Sequence, residues 1–178
     1  MALRGGSEDM GRTDNETELQ QVIPQLGSVV EYLIAGSEFA EENSQCKRKG
    51  VTCQVFGVVQ NSEGPIIRWR SSHYNGPIKD DQSLCSNEVG NCGCVHAEER
   101  AALWLMQRRM ITDALVAVNY SPCTRCANLL IETGKVRFVV YRTLTEHDPR
   151  GLNHLIAAGI APLQIKTQGE NDAKEKEG

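Results

Sequence analysis

The spacing of hydrophobic residues changes several times along the chain and predicts a series of helices and strands. Apolar residues between positions 19 and 42 recur at steps of three and four, as on one helix face, although Pro24 and Gly27 place the regular start near Ser28. Residues 51–60 alternate and are rich in Val, Phe and Thr, and a second alternating segment, 65–71, follows an Asn-Ser-Glu-Gly turn. These two segments predict a hairpin of strands.

Beyond the hairpin, helical and strand patterns alternate. Residues 72–93 are rich in Gly, Asn, Asp, Ser and Cys, which is typical of a loop. Helices are predicted over 96–109, 123–133 and 152–158, and strands over 114–119, 136–142 and 163–166. A hairpin followed by strand–helix alternation predicts a mixed sheet with helices on its faces, an α/β fold in three α/β/α layers.

The composition fits one globular domain. With 178 residues, 40% of them hydrophobic, the chain can bury a single core. We expect that domain over residues 19–166, between a flexible leader (1–18) and a charged, disordered tail (167–178). The net charge of −4 disfavours nucleic acid as a partner. No apolar run reaches the roughly 18 residues of a membrane span, and residues 1–14 lack a secretory signal, so we expect no membrane partner and a cytoplasmic protein.

Seven cysteines direct attention to metal binding. Without a secretory signal the expected compartment is reducing, and there clustered cysteines bind metal more often than they form disulfides. Two motifs carry the candidate chemistry: His96-Ala97-Glu98 and, further along, Pro122-Cys123-Thr124-Arg125-Cys126. His-x-Glu followed by Pro-Cys-x-x-Cys is the known motif pair of zinc-dependent nucleobase deaminases.

The chemistry needs these residue types in this spacing. Cys123 and Cys126 lie three apart at a predicted helix start, so their sulfurs share a face and the helix N-terminus favours thiolate. With His96 they supply three ligands for Zn²⁺ and leave a fourth place for water, whose pKa zinc lowers to about 7. Glu98 lies close to the metal without being a ligand and can move the proton of that water.

Each piece has an ordinary explanation when it is taken alone. Cys123-x-x-Cys126 is also found in redox pairs and structural zinc sites. His96 alone is more often a capping or core histidine, and Glu98 alone is an acid favoured in the first turn by the helix dipole. The combination in this order, on these elements, favours a catalytic zinc site.

The chain also resembles a known family over residues 44–162. Ser44-Gln45-Cys46-Lys47-Arg48, the loop Ser72-His73-Tyr74-Asn75-Gly76-Pro77 and the two zinc motifs are similar to those of the deoxycytidylate (dCMP) deaminase branch of the cytidine deaminase superfamily. Phe138-Val139-Val140-Tyr141-Arg142 and Leu155-Ile156-Ala157-Ala158-Gly159-Ile160 resemble its following strand and closing helix. The chain departs from the branch at three places: Arg100 stands for Asn, His73 stands for Gly, and the segment Thr143-Leu144-Thr145 lacks the usual aromatic residue.

The resemblance implies further features. Asn75 would hold a sugar hydroxyl and the Ala97 backbone would help to read the base; Tyr74 and Ser121, in the same motifs, complete the expected substrate-binding set. The sheet would have five strands. The protein would form a homo-oligomer, either a hexamer or a dimer, with dCTP activating and dTTP inhibiting it, and Mg²⁺ would accompany such a nucleotide effector.

The remaining cysteines suggest a second metal site. Some members of the branch hold a structural zinc between the approach to the first strand and the following loop, and Cys46, Cys85 and Cys92 lie at similar places. Cys94 is the nearest candidate for a fourth ligand, although its side chain could instead face the active site. The alternative is free thiols packed as small hydrophobic groups. Cys53, within a strand, is expected in the core.

Other side chains have ordinary explanations. The basic residues near the motifs are read singly as solvated surface, although a nucleotide monophosphate needs a charged partner. Trp104 and Met106 are expected to pack in their helix. The basic residues are Lys47, Arg48, Arg108, Arg109 and Arg125.

The leading functional hypothesis is hydrolytic deamination of dCMP, or of a modified dCMP, to dUMP, with zinc-bound hydroxide attacking C4 and Glu98 shuttling the proton. A deaminase acting on a base in RNA or single-stranded DNA would need stacking aromatics, and only 5% of residues are aromatic. Deamination of free cytidine is the third hypothesis. A non-catalytic zinc scaffold is the alternative from another class, but it would have no use for Glu98.

Overall fold

The computed structural model describes residues 26–62, 64–89, 91–145 and 148–165. The predicted leader and tail, and the first residues of the predicted first helix, lie outside the described residues. Four α-helices are described: α1 (Leu26–Asn43), α2 (Ala97–Gln107), α3 (Thr124–Glu132) and α4 (Arg150–Ala157). Two short 3-10 helices, Ile78–Asp80 and Gln82–Leu84, lie in the loop before α2. Five strands are described: β1 (Thr52–Asn61), β2 (Gly64–Tyr74), β3 (Asp113–Tyr120), β4 (Val136–Thr143) and β5 (Ala161–Gln164).

The five strands form one mixed sheet in the order β2-β1-β3-β4-β5. β1 pairs antiparallel with both β2 and β3, while β3, β4 and β5 run parallel. The parallel part follows from the strand–helix alternation, because a helix must cross over between two parallel strands. The prediction of a mixed five-stranded sheet is confirmed.

Two apolar clusters cover the two faces of the sheet. One face packs against α2, α3 and α4 through side chains such as Val55, Val116 and Leu130, whereas the other packs against α1 through Phe56, Leu115 and Val140. Successive residues of a strand point to opposite faces, so neighbours such as Leu115 and Val116 enter different clusters. This arrangement is the predicted three-layer α/β/α architecture.

Two local expectations were wrong. The loop predicted from residue 72 begins later, because β2 continues to Tyr74 opposite Thr52 of β1. Met106 is exposed although it was expected to pack, since α2 turns only its Ala101, Ala102 and Leu105 side toward the sheet. Trp104 is partly buried against the core, as expected.

The fold brings the starts of two helices together at one edge of the sheet. β3 ends at Tyr120 and leads through 121–123 into α3, and β2 leads through a long loop into α2. A β-bridge between Gly76 and Val95 draws the two ends of that loop together just before His96. None of the helices in the described part of the chain is long and apolar enough to span a membrane.

Candidate metal centre and active site

The three predicted metal ligands lie at the N-termini of α2 and α3. His96 directly precedes α2 and Cys123 directly precedes α3, while Cys126 is in the first turn of α3. The extended backbone of His96 and Cys123 turns both side chains back across the helix ends. As a result, one imidazole and two thiols meet at one point.

The ligand atoms are spaced as a metal ion requires. His96 Nδ1 lies 3.7 Å from Cys123 Sγ and 3.3 Å from Cys126 Sγ. A tetrahedral zinc ion separates its nitrogen and sulfur ligands by about 3.5 Å, which follows from bonds of about 2.0 and 2.3 Å. All three ligand atoms lie within 4.8 Å of one another. The donor set therefore fits Zn²⁺ with a fourth position left to water or substrate.

The start of α3 is held in place by α4 and by Asp148, which lies just before α4. The Asp148 carboxylate accepts hydrogen bonds from the Thr124 backbone N–H (2.8 Å) and hydroxyl (3.0 Å). Gly151 on α4 lies against the backbone of Pro122 and Cys123, where a Cβ would collide with both carbonyl groups. The hydrogen bonds and this close approach together fix the backbone that carries Cys123.

The electrostatics of the trio favour metal binding at Cys123. A hydrogen bond from Cys126, assisted by His96, lowers the pKa of the Cys123 thiol to about 4. The hydrogen bond between His96 and Cys123 raises the pKa of His96 to about 9. The Cys123 partner, together with burial, raises the pKa of Cys126. Zinc requires a neutral imidazole and two thiolates, so these shifts imply that metal binding would release protons from His96 and Cys126.

Glu98 is a buried carboxyl group with one oxygen available to the site. It is 4% exposed, and within the described residues its Oε2 atom has no hydrogen-bond partner. Burial raises the pKa of this carboxyl group to about 7. A buried polar atom without a partner is costly, so an unpartnered oxygen beside three metal ligands indicates a missing polar group such as water. Glu98 and the ligands His96 and Cys123 line the same cavity.

The rest of this cavity combines polar, basic and aromatic side chains. Asn75 and Ser121, which the resemblance assigns to substrate binding, line this cavity, and so does Arg48, which was expected at the solvated surface. The other lining residues are Cys46, Lys49, Val51, Cys92, Cys94, Tyr120 and Thr145.

Two of the predicted substrate-binding residues already make internal hydrogen bonds. Asn75 Oδ1 accepts from the Ser44 hydroxyl and the Val51 backbone N–H, both at 2.8 Å. Ser121 Oγ accepts from the Thr145 backbone N–H at 2.8 Å. Both residues are therefore at least structural parts of the cavity wall, and their contact with a substrate stays a prediction.

Tyr74 and Ala97 lie elsewhere in the described structure. The Tyr74 ring packs edge-on against Phe39 of α1 at 6.1 Å between centroids, and Ala97 is fully buried as the first residue of α2. Neither belongs to the cavity wall formed by the described residues. Their roles in substrate binding stay predictions.

The remaining predicted cysteines form a second cluster. The sulfur atoms of Cys46, Cys85, Cys92 and Cys94 all lie within 4.8 Å of one another, which places Cys94 with this group. The backbone N–H groups of Lys47 and Asn87 lower the pKa of the Cys85 thiol to about 7. Asn87 has φ of 63°, a left-handed conformation that turns the chain between Cys85 and Cys92. Cys53 is buried in the core, as expected.

Several residues of the site carried no recognisable pattern in the sequence. Lys49 places its ammonium group 3.4 Å from the centre of the Tyr120 ring at the cavity. Thr145 reaches the cavity because its hydroxyl binds the Ser121 carbonyl group at 2.7 Å. The basic run 47–49 was one signal that could have indicated Lys49, but its direction depends on the fold.

A comparison with protein-family models matches residues 37–143, more than half of the chain, to the cytidine and deoxycytidylate deaminase zinc-binding region. The chain belongs to this deaminase family. The match includes all of the cavity-lining residues except Thr145, and both cysteine clusters.

Two curated deoxycytidylate deaminases are similar in sequence to this chain. The protein from Schizosaccharomyces pombe is 27% identical over 134 residues, which cover 72% of this chain and 41% of the relative. The protein from Saccharomyces cerevisiae is 26% identical over 137 residues, which cover 75% of this chain and 44% of the relative. The chain thus spans less than half the length of these relatives.

Solved structures of deaminases share the fold. The dCMP deaminase of cyanophage S-TIM5, in complex with dCMP and dUMP, has a TM-score of 0.58 at 24% identity, covering 78% of this chain and 97% of the phage chain. Rib2 deaminase from Aspergillus oryzae has a TM-score of 0.51 at 16% identity, covering 80% and 86% of the two chains. At these identities the likeness supports the deaminase fold.

Proposed function

We propose that the protein is a zinc-dependent hydrolase that converts dCMP, or a modified dCMP, to dUMP. The observation that carries this proposal is the meeting of His96, Cys123 and Cys126 at one point, next to a cavity lined by His96, Cys123 and Glu98, whose Oε2 atom has no hydrogen-bond partner among the described residues. Three ligands leave a catalytic zinc one open position. A structural zinc site is closed by its ligands and has no role for a buried acid beside it.

The reaction assigns a task to each of these residues. Zn²⁺ held by the three ligands would lower the pKa of water to about 7 and so supply the nucleophile. Glu98 would accept a proton from the attacking water and pass it to the ring nitrogen N3, and would then accept the second proton from the new C4 hydroxyl and pass it to the departing amine. Oxygen adds to C4, the C4–N bond breaks, and ammonia leaves. A Glu98 pKa near neutrality suits both halves of this transfer.

A nucleotide substrate is supported by the charges of the cavity. Arg48 and Lys49 line the same cavity as His96, Cys123 and Glu98. Both cations can bind an anionic phosphate by charge-assisted hydrogen bonds. The two yeast relatives are named deoxycytidylate deaminases, and the phage relative was solved with dCMP and dUMP. These points favour a monophosphate over free cytidine, and the scarcity of aromatic side chains disfavours a polynucleotide.

The substrate assay compares dCMP, dCTP, cytidine and a cytosine-containing single-stranded oligonucleotide, with loss of the exocyclic amine followed by ultraviolet absorbance. Glu98→Gln is the matched control for contaminating deaminase. We expect turnover of dCMP by the wild-type protein only. Faster turnover of the oligonucleotide would move the assignment to a nucleic-acid deaminase, and no turnover by a zinc-loaded protein would favour the scaffold.

We also propose that Cys46, Cys85, Cys92 and Cys94 hold a second, structural Zn²⁺. Four thiolates around zinc lie about 3.8 Å apart, in keeping with the cluster found here. Such a site would close a loop rich in polar residues that has little core of its own. Cys46, Cys92 and Cys94 also line the substrate cavity, so this metal would support its wall.

The assembly and regulation expected from the family belong to the same proposal. The outer side of α2 exposes Leu103, Met106 and, just beyond the helix, Met110, an apolar surface suited to contact with a second copy. On the basis of this surface we propose a homo-oligomer, either a dimer or a hexamer. On the basis of the family resemblance we propose dCTP and dTTP as effectors, accompanied by Mg²⁺. Light scattering with and without each nucleotide tests both points. All seven cysteines are unpaired, which suits the reducing cytoplasm.

A further inference from the structure

Glu99, the residue after the proposed proton shuttle, connects the two helices that carry the metal ligands. Its Oε2 atom accepts a hydrogen bond from the His96 backbone N–H at 2.7 Å. Its Oε1 atom forms an ion pair with Arg125 Nη2 at 2.6 Å. Arg125 lies between Cys123 and Cys126 in the chain. One carboxylate therefore joins the backbone of the nitrogen ligand to the segment that holds both sulfur ligands.

The exposures of the two partners show that this is more than a surface ion pair. The Glu99 side chain is only 7% exposed, whereas the Arg125 side chain is 79% exposed. The Arg125 side chain stays largely in solvent, and one nitrogen of its guanidinium group reaches a carboxylate that is buried. A charge-assisted hydrogen bond to a desolvated carboxylate is shorter and stronger than one in water. A pair that is exposed on both sides is screened by water and holds its two partners only weakly.

Glu98 and Glu99 lie in the same turn of α2, but their side chains line different cavities. Glu98 faces the substrate cavity, while Glu99 lies with Arg125, Leu103 and Leu129 along the groove between α2 and α3. Glu99 is therefore removed from the reacting atoms and acts on them only through His96, Cys123 and Cys126.

We infer that Glu99 is a positioning residue that, paired with Arg125, sets the distance between His96 and the two cysteine ligands and thereby the zinc affinity of the site. This inference rests on the zinc site of the proposed function. Groups that orient metal ligands from outside the coordination shell typically contribute 10–100-fold in metal affinity. The competing explanation is that Glu99 only caps α2, in which case Arg125 is dispensable.

Two variants separate these explanations. Glu99→Gln keeps an oxygen that can accept from the His96 N–H but turns an amide N–H₂ group toward Arg125, so it breaks the pair and preserves the cap. Arg125→Ala breaks the same pair from the exposed side, where the fold tolerates change. Arg137→Ala, which removes the exposed ion pair with Asp113 at 2.7 Å, is the matched control distant from the metal.

The readout is zinc binding itself, by competition with a chromophoric chelator. The zinc-binding curves of the wild type and of His96→Ala are compared first. The binding step that is present in the wild type and absent in His96→Ala belongs to the catalytic site, and the remaining step belongs to the four-cysteine cluster. We expect about tenfold weaker zinc binding at the catalytic site for Glu99→Gln and for Arg125→Ala, and no further loss in the double variant, because both remove one interaction. Arg137→Ala should match the wild type, and Arg125→Lys should recover part of the affinity.

The spectrum of the cobalt-substituted protein gives an independent measure of ligand geometry. We expect its d–d bands to shift in Glu99→Gln and Arg125→Ala but not in Arg137→Ala. Wild-type zinc affinity and an unchanged cobalt spectrum in Arg125→Ala would overturn the inference and leave Glu99 as a helix cap. If the wild-type protein itself shows no binding step that depends on His96, the proposed function fails instead.

Discussion

Asn75 and Asn119 hold successive backbone groups of the segment that leads into β1. Asn75 accepts from the Val51 N–H at 2.8 Å and donates to the Lys49 carbonyl at 3.0 Å. Asn119 accepts from the Thr52 N–H at 3.0 Å and donates to the Gly50 carbonyl at 3.2 Å. The two amides thus satisfy four consecutive positions, and they fix Lys49 and Val51 at the cavity wall. Of the two amides, Asn75 also lines the cavity.

This relationship provides a control for the proposed role of Asn75. Asn75→Ala and Asn119→Ala each leave two buried or partly buried backbone groups without their amide partner, so each should lower the free energy of unfolding by about 1–3 kcal/mol. If Asn75 also binds a sugar hydroxyl, Asn75→Ala should raise KM for dCMP about tenfold more than Asn119→Ala does. Steady-state kinetics and urea unfolding of both variants measure the two effects. Equal kinetic losses would mean that Asn75 serves only to hold the loop.

Glu98→Gln tests the separation of metal binding from proton transfer. The three ligands are unchanged, so metal analysis should find the zinc content of the wild type. Turnover should fall by about 10²–10⁴-fold because an amide cannot carry the proton. His96→Ala or Cys123→Ala should instead lose the metal of that site. Loss of zinc together with activity in Glu98→Gln would show that Glu98 is a ligand and that its assigned role is wrong.

The fold, and the meeting of His96, Cys123 and Cys126 at one point, could be predicted from the sequence because both depend on local spacing. Helix and strand periodicities report which face of each element is buried, and the core clusters follow them. Cys123 and Cys126 must be three apart on a helix turn to share one ion, so their spacing is itself the signal. His96 and Glu98 are similarly fixed by the start of α2. These features depend on neighbours in the chain.

Contacts between distant segments could not be predicted in this way. Glu99 and Arg125 meet only because α2 and α3 begin side by side, and the position of Cys94 depends on how a loop closes onto residue 46. Tyr120 and Lys49 stack across two strand ends. The continuation of β2 to Tyr74 also arises from pairing with β1, which overrides the loop-like composition of those residues.

The four-cysteine cluster predicts a metal count. Metal analysis of freshly purified protein, without chelator, should return two zinc ions per chain. Cys92→Ser should reduce this to one and lower the melting temperature, while the ion of the His96 site stays bound. Cys53→Ala is the control, since it removes a buried thiol that belongs to neither cluster. A single zinc in the wild type would return these cysteines to packed free thiols.

His73 predicts a loss of stability in weak acid. Burial, assisted by Arg100, lowers its pKa from 6.5 to about 4. The unfolded chain therefore binds the proton first, so the stabilising effect of neutral His73 is complete above about pH 6.5 and is lost as the pH falls toward 4. Near pH 5 the loss should be about 1 kcal/mol after allowance for the partial exposure of this side chain. Urea unfolding near pH 7.5 and 5 should show a smaller loss in His73→Gln. The same loss in both proteins would assign it to other groups.

Lys49 should determine the preference for a nucleotide over a nucleoside. Its ammonium group is held over the Tyr120 ring on the cavity wall, where it can meet the phosphate of a substrate whose base lies against the metal ligands. Losing such a charged hydrogen bond costs about 1.5–3 kcal/mol, so Lys49→Gln should lower kcat/KM for dCMP by about 10–100-fold and leave deoxycytidine nearly unaffected. The matched control is Lys47→Gln, which makes the same charge change two residues earlier. Lys47 does not line the cavity, and its Nζ atom donates a hydrogen bond to the Cys85 carbonyl at 3.1 Å. Equal losses on dCMP for both variants would indicate a general effect of positive charge, and equal losses on dCMP and deoxycytidine for Lys49→Gln would place the phosphate away from Lys49.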